Sequence, residues 1–259
     1  MDKAAEKRFN LAFNIFLVTG MIVAVTITTV FKLQQPGVKT FMLLLAAFGS
    51  VMGVINTVLS ANGHILTFVF GLLDVLAATV VLLDNGIMGN FALHAFYFLP
   101  MQFVGFWQWS KRGAKVKGGE DGEGRLKARR LTGRQWACLA AGILAGIAVL
   151  YGILYFVDLS QLKAGKISSL SKPKVLLDAV VMTLNIAGQV LLSFAFMEQW
   201  YIWILVNISS ISLWTVALVG GTGSGNAAVM LIKYIFYLMN SLNGLRIWLN
   251  LCKERDLDY

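Results

Sequence analysis

The segment MEQWYIWILVN, from Met197 to Asn207, lies within a long apolar stretch near the C-terminus. Trp200, Trp203 and Asn207 are spaced i, i+3 and i+7, so on a helix they share one face. If that helix crosses a membrane, the Asn must find a hydrogen-bond partner, because lipid offers none. We interpret this face as one wall of a small-molecule site. The alternative is an interfacial aromatic belt, which Trp and Tyr commonly form at membrane surfaces.

The composition is typical of a polytopic membrane protein. Of the 259 residues, 58% are hydrophobic and 14% are charged, whereas a soluble domain carries about 25% charged residues. The formal net charge of +9 would also suit a soluble nucleic-acid-binding protein. Here, however, the basic residues lie in loops between apolar segments, where they orient a membrane protein. We therefore expect a lipid bilayer as the environment and no nucleic-acid partner.

Eight apolar segments are each long enough to cross a membrane, which takes about 20 residues. They cover approximately residues 8–31, 38–60, 65–83, 87–109, 135–157, 175–197, 200–219 and 226–251. The N-terminus, the loop from Ser110 to Arg134 and the C-terminal tail carry most of the basic residues. Eight crossings place all three on one side, which the positive-inside rule makes cytoplasmic. The sequence therefore predicts a multi-pass protein with both termini in the cytoplasm.

The fourth and eighth segments resemble each other. Each contains Phe-Tyr followed by a Gly and a Trp four residues apart, in FYFLPMQFVGFWQW and FYLMNSLNGLRIW. Two segments precede each, so segments 2–4 and 6–8 are expected to be parallel triplets joined by segment 5. The predicted fold is all-α and integral to the membrane, with eight transmembrane helices: an extra N-terminal helix and a 3+1+3 core. Parallel repeats of this kind are a transporter architecture.

The chain is expected to divide according to this plan. Residues 1–37 hold the additional N-terminal helix, 38–110 the first three-helix repeat and 175–251 the second repeat. Residues 111–174 hold the basic cytoplasmic loop, the linker helix and an outer loop. Residues 252–259 form a cytoplasmic tail.

Polar side chains within the spans are the candidate substrate contacts. Carboxamides donate and accept hydrogen bonds at once, so together with indoles they suit a ligand that has a flat ring and several hydroxyls. The alternative is that Asn and Gln only hold the helices together. No Lys or Arg pair lies mid-span on these faces, so a phosphate ester is not the expected ligand. The predicted substrate-binding residues are Gln102, Phe106, Gln189, Trp200, Trp203, Asn207, Tyr237, Asn240 and Asn243.

Two acidic residues need separate interpretation. Asp74 is the one carboxylate in the middle of a predicted span, which makes a proton relay or a counter-ion a functional hypothesis. No second acid and no His shares its face, which favours a packed, hydrogen-bonded role. Glu198 is expected at the cytoplasmic mouth, in contact with water. The sequence contains no metal-ligand cluster and no nucleophile–base set, so we expect no catalytic residue, no metal and no cofactor.

The motifs LPMQFVGFWQW, from Leu99 to Trp109, and WYIWILVN, from Trp200 to Asn207, resemble the PnuC family of nicotinamide riboside transporters, distant relatives of the SWEET sugar facilitators. The resemblance covers segments 2–8. It implies uptake of unphosphorylated nicotinamide riboside, a precursor of NAD, across the bacterial inner membrane by facilitated diffusion with alternating access. It also implies trapping by cytoplasmic phosphorylation, a homotrimer, and a site lined by the Trp pair and the carboxamides of segments 4, 7 and 8.

Two alternatives from other classes stay open. One is a proton-coupled nucleoside or vitamin carrier that uses Asp74. The other is a membrane enzyme or structural subunit, in which the polar groups within the spans serve packing alone.

Overall fold

The fold is a bundle of long helices. The computed structural model describes residues 3–84, 88–115, 126–165, 170, 172–219 and 227–257. The helices within these ranges are α1 (Lys3–Leu33), α2 (Thr40–Ala61), α3 (Thr67–Asp84), α4 (Met88–Leu93), α5 (Leu99–Lys111), α6 (Gly133–Lys163), α7 (Lys172–Ser193), α8 (Gln199–Val219) and α9 (Ala227–Leu257). Parts of the predicted basic loop and of the turn before the eighth segment, residues 116–125 and 220–226, lie outside the described residues.

A π-helical turn, His94–Phe98, joins α4 to α5 without a break. Pro100 lies two residues beyond it and has no N–H to donate to the carbonyl oxygen four residues earlier, so a regular helix is disfavoured at this point. With α4, the turn and α5 counted as one rod, the described residues form eight helical rods. The predicted all-α fold and its helix count are therefore confirmed.

The surface of the bundle is that of a membrane protein. Five of the described helices, α1, α2, α3, α6 and α7, are long and apolar enough to cross a membrane. Large apolar side chains such as Leu144 and Phe156 on α6 are exposed along these helices. In water this exposure would cost about 25 cal/mol per Å², whereas in lipid it costs nothing. The chain is therefore a multi-pass membrane protein.

The additional N-terminal helix is a packed part of the bundle. It lies against α2 and α9, and its Leu17 and Met21 are buried there. Near its N-terminal end, Asn10 accepts a hydrogen bond from the Arg246 guanidinium of α9, which also lies 3.7 Å from the Glu6 carboxylate. Apolar burial and a polar clamp therefore both attach α1 to α9.

Four aromatic rings form a ladder at the end of the bundle toward which α2, α5, α7 and α9 run. The ring centroids lie 5.0 Å apart for Phe68 and Trp109, 5.5 Å for Trp109 and Trp248, and 6.1 Å for Trp248 and Trp200. All four side chains are buried. Aromatic pairs of this geometry contribute about 0.5–1.5 kcal/mol each beyond their buried area. We call this cluster the aromatic ladder.

The two central rings of the aromatic ladder also make hydrogen bonds across the bundle. Trp109 of α5 donates its indole N–H to the Leu192 carbonyl oxygen of α7 at 2.8 Å. Trp248 of α9 donates to the Ser60 carbonyl oxygen of α2 at 3.1 Å. Both acceptors lie in the last turn of their helix, where carbonyl groups have no partner within the helix. The aromatic ladder therefore joins α5 to α7 and α9 to α2.

Two glycines allow the outer rings of the ladder to pack directly on helix backbone. A Cβ atom added to Gly244 of α9 would lie 2.6–2.7 Å from atoms of the Trp200 ring. A Cβ atom added to Gly105 of α5 would overlap the Phe68 ring. A residue with a side chain at either position would push the ring out of its place in the ladder.

Residues 126–131 cross the same end of the bundle as an extended segment, which we call the strap. The Arg129 N–H donates to the Ala195 carbonyl oxygen at 2.7 Å, and the Met197 N–H donates to the Arg129 carbonyl oxygen at 2.9 Å. Leu126 and Ala128 of the strap are buried beside the aromatic ladder. The strap therefore binds, as a short parallel bridge, to the junction between α7 and α8.

The junction itself is conformationally constrained. Ala195 has φ of +59°, in the left-handed region that residues other than glycine rarely adopt. The sequence predicts only a two-residue turn at Glu198 and Gln199, whereas the structure ends α7 at Ser193 and leaves residues 194–198 outside both helices. The extra length supplies the backbone that pairs with the strap.

The substitution Gly244→Ala is expected to destabilise the protein by about 1–3 kcal/mol, the usual cost of overpacking a filled core. The reason is that the Trp200 ring is buried and also packs against Trp248, so it has little room to move. Thermal unfolding of the purified protein in detergent should show a lower midpoint for this variant. Gly142→Ala is the matched control, since a Cβ atom there would contact nothing within 4 Å. Equal midpoints for the two variants would contradict the packing described here.

Candidate functional site

Polar and aromatic side chains from five helices follow one another around the inside of the bundle. Each member is connected to the next in one of three ways. The two side chains are in contact, they lie one turn apart on the same helix, or the residue next to one of them in sequence makes the contact. We call this set the polar ring. Its members are Asn56 of α2, Gln102 of α5, Gln189 of α7, Trp203 and Asn207 of α8, and Asn240 of α9.

The first part of the polar ring runs from α8 through α9 to α2. The Asn207 side-chain amide donates to the Ser241 hydroxyl oxygen at 3.0 Å. The neighbouring Asn240 donates its own amide N–H to the Thr57 carbonyl oxygen at 3.0 Å. Thr57 directly follows Asn56, so three helices are connected through side-chain amides.

The second part runs from α2 over α3 to α5. The Asn56 side-chain oxygen accepts a hydrogen bond from the Thr67 hydroxyl. A Cβ atom added to Gly71 of α3 would lie 2.5 Å from Gln102 Oε1 and 3.2 Å from Asn56 Nδ2. The Asn56 and Gln102 carboxamides therefore both lie against the backbone of Gly71, where the absence of a side chain leaves room for them. Gln102 also donates to the Phe98 carbonyl oxygen at 3.2 Å.

The third part closes the polar ring from α5 through α7 back to α8. The Gln189 amide donates to the Ser193 hydroxyl oxygen, and the Ser193 hydroxyl donates to the Met101 carbonyl oxygen, both at 3.4 Å. Gly188, beside Gln189, lets the Trp203 ring approach its backbone, since an added Cβ atom would lie 2.9 Å from that ring. Trp203 and Asn207 lie one turn apart on α8, so this part of the polar ring connects back to the first part.

The chemistry of the polar ring is neutral. Four of its five carboxamides, at 102, 189, 207 and 240, are buried, whereas the fifth, Asn56, and the Trp203 indole are half-buried. Asn240 Oδ1 has no hydrogen-bond partner among the described residues, so it can still accept one. Amide donors and acceptors with an indole suit a flat, hydroxylated ligand, and an indole face attracts a cation. Nothing in the ring carries a positive charge that could pair with a phosphate.

A small cavity lies beside the polar ring. A cavity of about 10 Å³ lies between α1, α2 and α9, where Thr57, Tyr237 and Asn240 line it together with apolar side chains. A space of this size holds about one water molecule. This cavity is therefore too small for a ligand with a ring and a sugar.

Five of the nine predicted site residues belong to the polar ring, and the other four lie elsewhere. Trp200 is part of the aromatic ladder, where its ring packs against Gly244 and Trp248. Tyr237 lines the small cavity. Asn243 lines a groove between α1 and α9 and accepts hydrogen bonds from its neighbour Arg246.

Phe106 is the predicted residue that lies farthest from the others, because its side chain is 40% exposed on the outside of the bundle. It follows Gln102 by four residues, which is about 40° around the helix. Gly105 and Trp109 lie on the opposite side of Gln102, and they face the core. The buried face of α5 therefore turns away from Phe106, although the spacing alone groups all four.

The structure corrects the expectation that Glu198 is in contact with water. Its side chain is 2% exposed, and Glu198 Oε1 accepts a hydrogen bond from the Leu131 backbone N–H at 3.0 Å. The strap covers this carboxylate. Sequence reasoning treated the loop before α6 as solvated because of its charge, and no periodicity in six residues indicates burial.

Asn56 was also missed by sequence reasoning. A carboxamide in the middle of the second segment is a signal in the sequence, but no paired aromatic residues accompany it as they do in the seventh segment. Its connections to α3, α5 and α9 come from tertiary packing, which the spacing of residues along α2 does not predict.

Asp74 lies outside the polar ring. Its carboxylate packs on glycine backbone of α2, since a Cβ atom at Gly53 would lie 2.7 Å from Asp74 Oδ2. Lys233 of α9 lies within electrostatic range of it, and Lys233 Nζ is 5.4 Å from the centroid of the Tyr237 ring. A lysine near the carboxylate favours charge pairing between α3 and α9.

The comparisons with known proteins agree with this architecture. The family model for the Nicotinamide mononucleotide transporter matches residues 43–250. The Nicotinamide riboside transporter PnuC of Neisseria mucosa is 33% identical over 211 residues, which cover 81% of this chain and 73% of that protein. The transporter of the same name from Haemophilus influenzae is 28% identical over 210 residues, 81% of each chain.

A solved structure shows the same fold. The crystal structure of the Vitamin B3 transporter PnuC matches with a TM-score of 0.64 and 31% sequence identity, covering 92% of each chain. Since the family model also spans most of the sequence, this chain belongs to the PnuC family of membrane transporters.

Proposed function

We propose that this protein takes up unphosphorylated nicotinamide riboside across the bacterial inner membrane by facilitated diffusion. Membership of the family supports transport of a nicotinamide compound, but the family is described by the mononucleotide and the relatives by the riboside. The neutral polar ring is the observation that favours the riboside. It offers amides for the ribose hydroxyls and the nicotinamide amide, and no cation for a phosphate.

The expected interaction energies also favour the riboside over the mononucleotide. A pyridinium ring against an indole gains about 0.5–2 kcal/mol from cation–π attraction, and Trp203 is the half-buried indole of the polar ring. Asn240 Oδ1 is an unused acceptor. An anionic phosphate buried without a partner would instead cost several kcal/mol. The nearest Arg on α9, Arg246, already donates to Asn243 and Asn10.

The 3+1+3 arrangement of the core is part of the proposal. Trp109 of α5 binds the end of α7, and Trp248 of α9 binds the end of α2. These contacts, and the packing of Gly105 and Gly244 on aromatic rings, form matching pairs. Two parallel triplets, α2 to α5 and α7 to α9, related by an approximate two-fold axis and joined by α6, would produce such pairs.

The transport cycle that we propose is alternating access, with both termini in the cytoplasm. The small cavity beside the polar ring supports a closed state, from which helices must separate to admit a ligand. Phosphorylation in the cytoplasm would then trap the riboside. The proposal also includes assembly as a homotrimer in the lipid bilayer, which rests on the family resemblance.

Calorimetry of the purified protein should distinguish the two nicotinamide ligands. Riboside is expected to bind saturably, and the mononucleotide to bind at least about tenfold more weakly, a difference of roughly 1.4 kcal/mol. The reason is the missing cation in the polar ring. Nicotinamide alone, without ribose, serves as a control for the contribution of the sugar. Equal affinity for riboside and mononucleotide would contradict the proposed site.

Trp203→Ala and Asn207→Ala are each expected to weaken riboside binding about tenfold, because one removes the indole face and the other a hydrogen-bonding amide. Trp203→Phe keeps an aromatic ring and should lie between Ala and wild type. Phe103→Ala is the matched control, since Phe103 is a large aromatic residue exposed on the outside of α5. Thermal midpoints measured alongside show whether each variant is folded. Wild-type affinity in folded Trp203→Ala would favour a purely structural role for these groups.

A transport assay distinguishes facilitated diffusion from proton coupling through Asp74. We expect proteoliposomes to equilibrate riboside to the same concentration inside and outside, with or without a pH gradient, because the carboxylate lies near a lysine and outside the polar ring. Asp74→Asn should reach the same final level. Accumulation above the outside concentration that depends on the pH gradient and disappears in Asp74→Asn would establish the proton-coupled alternative.

A further inference from the structure

The strap is held more tightly than an ordinary connecting loop. Its Ala128 is completely inaccessible to solvent, and Leu126 is buried as well. Both belong to the apolar cluster that contains the aromatic ladder. Lys127 and Arg130 are exposed, so the strap packs one face into the end of the bundle and turns the other outward.

Polar contacts hold the strap in this position. Glu198 Oε1 accepts from the Leu131 N–H at 3.0 Å, and the Arg129 guanidinium lies 4.4 Å from the centroid of the Phe196 ring. The Cys252 thiol of α9 lies 3.8 Å from the Arg129 carbonyl oxygen. The strap thus contacts the junction before α8 and the last turns of α9 at the same time.

The residues under the strap contain hydrogen-bonding groups that this arrangement leaves unused. Gln199 is 0% exposed, and neither atom of its amide has a partner among the described residues. The same holds for Glu198 Oε2 and Trp200 Nε1. Unpaired buried polar atoms are costly, so four such atoms in three consecutive residues indicate that these groups meet another partner in a different state of the protein.

The same residues lie at the start of α8, the helix that carries two members of the polar ring. Gln199 opens α8, and Trp203 lies one turn farther along that helix. A ligand that leaves the polar ring toward this end of the bundle must pass the aromatic ladder and then the strap. The groups that it would meet are a carboxylate and an amide, which match a cationic ring that carries a carboxamide.

We propose that the strap is the inner gate of the transport path and that Glu198 is its latch. This inference rests on the proposed function. In the closed state, the strap blocks the exit and occupies Glu198 through the Leu131 N–H. When the strap lifts, the Glu198 carboxylate and the Gln199 amide become available to the departing riboside, and the unused hydrogen-bonding groups find a partner.

A cross-link tests whether the strap must move. The variant Ala128→Cys is made in a Cys138→Ala background, so that Cys252 is the only other thiol. Oxidation, or a short bifunctional thiol reagent, should join the strap to α9 and reduce riboside uptake into proteoliposomes at least about tenfold, and reduction should restore it. The same chain with Cys252→Ala is the matched control and should be unaffected by oxidation. Wild-type uptake by fully cross-linked protein would overturn the proposal.

Labelling of Cys252 tests the latch in a chain whose strap is unaltered. In the Cys138→Ala background, a maleimide should modify buried Cys252 slowly, and several-fold faster when riboside is being transported. Glu198→Ala should raise the labelling rate without riboside, whereas Glu198→Gln keeps an oxygen acceptor for the Leu131 N–H and should stay close to the parent. Labelling rates that are independent of riboside and equal in both Glu198 variants would overturn the latch.

The two proposals fail in different ways. If the Cys138→Ala parent neither binds riboside in calorimetry nor transports it, the proposed function fails, whatever the strap does. If the parent binds and transports riboside but neither cross-linking nor riboside affects the strap, the proposed function stands and the gate is wrong. Riboside binding to the cross-linked protein with loss of uptake is the result that supports both.

Discussion

Two indole hydrogen bonds across the bundle are the constraint on which the structure depends. Trp109 binds the end of α7 and Trp248 the end of α2, and the two rings meet between them. Within a bilayer, apolar burial does not drive helices together, because lipid is as apolar as the side chains. Close packing and hydrogen bonds must do so instead. The aromatic ladder supplies both at the place where the two groups of helices meet.

The polar ring depends on this frame. Its carboxamides are useful to a ligand only if the helices hold them at fixed distances around one space, and each amide has a protein partner that fixes its orientation. Asn207 is fixed by Ser241 and Asn240 by the Thr57 carbonyl. Small residues bring the helices close enough for such contacts, as Gly71 does between Asn56 and Gln102. In the proposed site, preference for the riboside over its phosphate ester then follows from the cation that the ring lacks as much as from the amides that it contains.

The sequence predicts the parts of this molecule that repeat along a helix, and it fails where contacts are tertiary. Hydrophobic length predicts eight rods, and i, i+3, i+7 spacing places Trp203 and Asn207 on one face. The same spacing cannot tell a ring-lining residue from a core residue, so it assigns Trp200 to the site although Trp248 covers it. The strap has no period at all. Pairing with the α7–α8 junction buries the strap, and the same pairing buries Glu198.

Helix α8 connects the strap to the polar ring mechanically. Gln199 and Asn207 are eight residues apart, so a rigid helix separates them by about 12 Å, and the intervening Trp200 and Trp203 pack on α9 and α7 through Gly244 and Gly188. A helix held at both glycines cannot tilt at one end without moving at the other. In the proposed gate, release of the strap from the junction before α8 would therefore change the position of the amide and indole of the polar ring. In the proposed cycle, the exit and the binding site are thus two ends of one rigid element, which is what a carrier needs in order to avoid opening both at once.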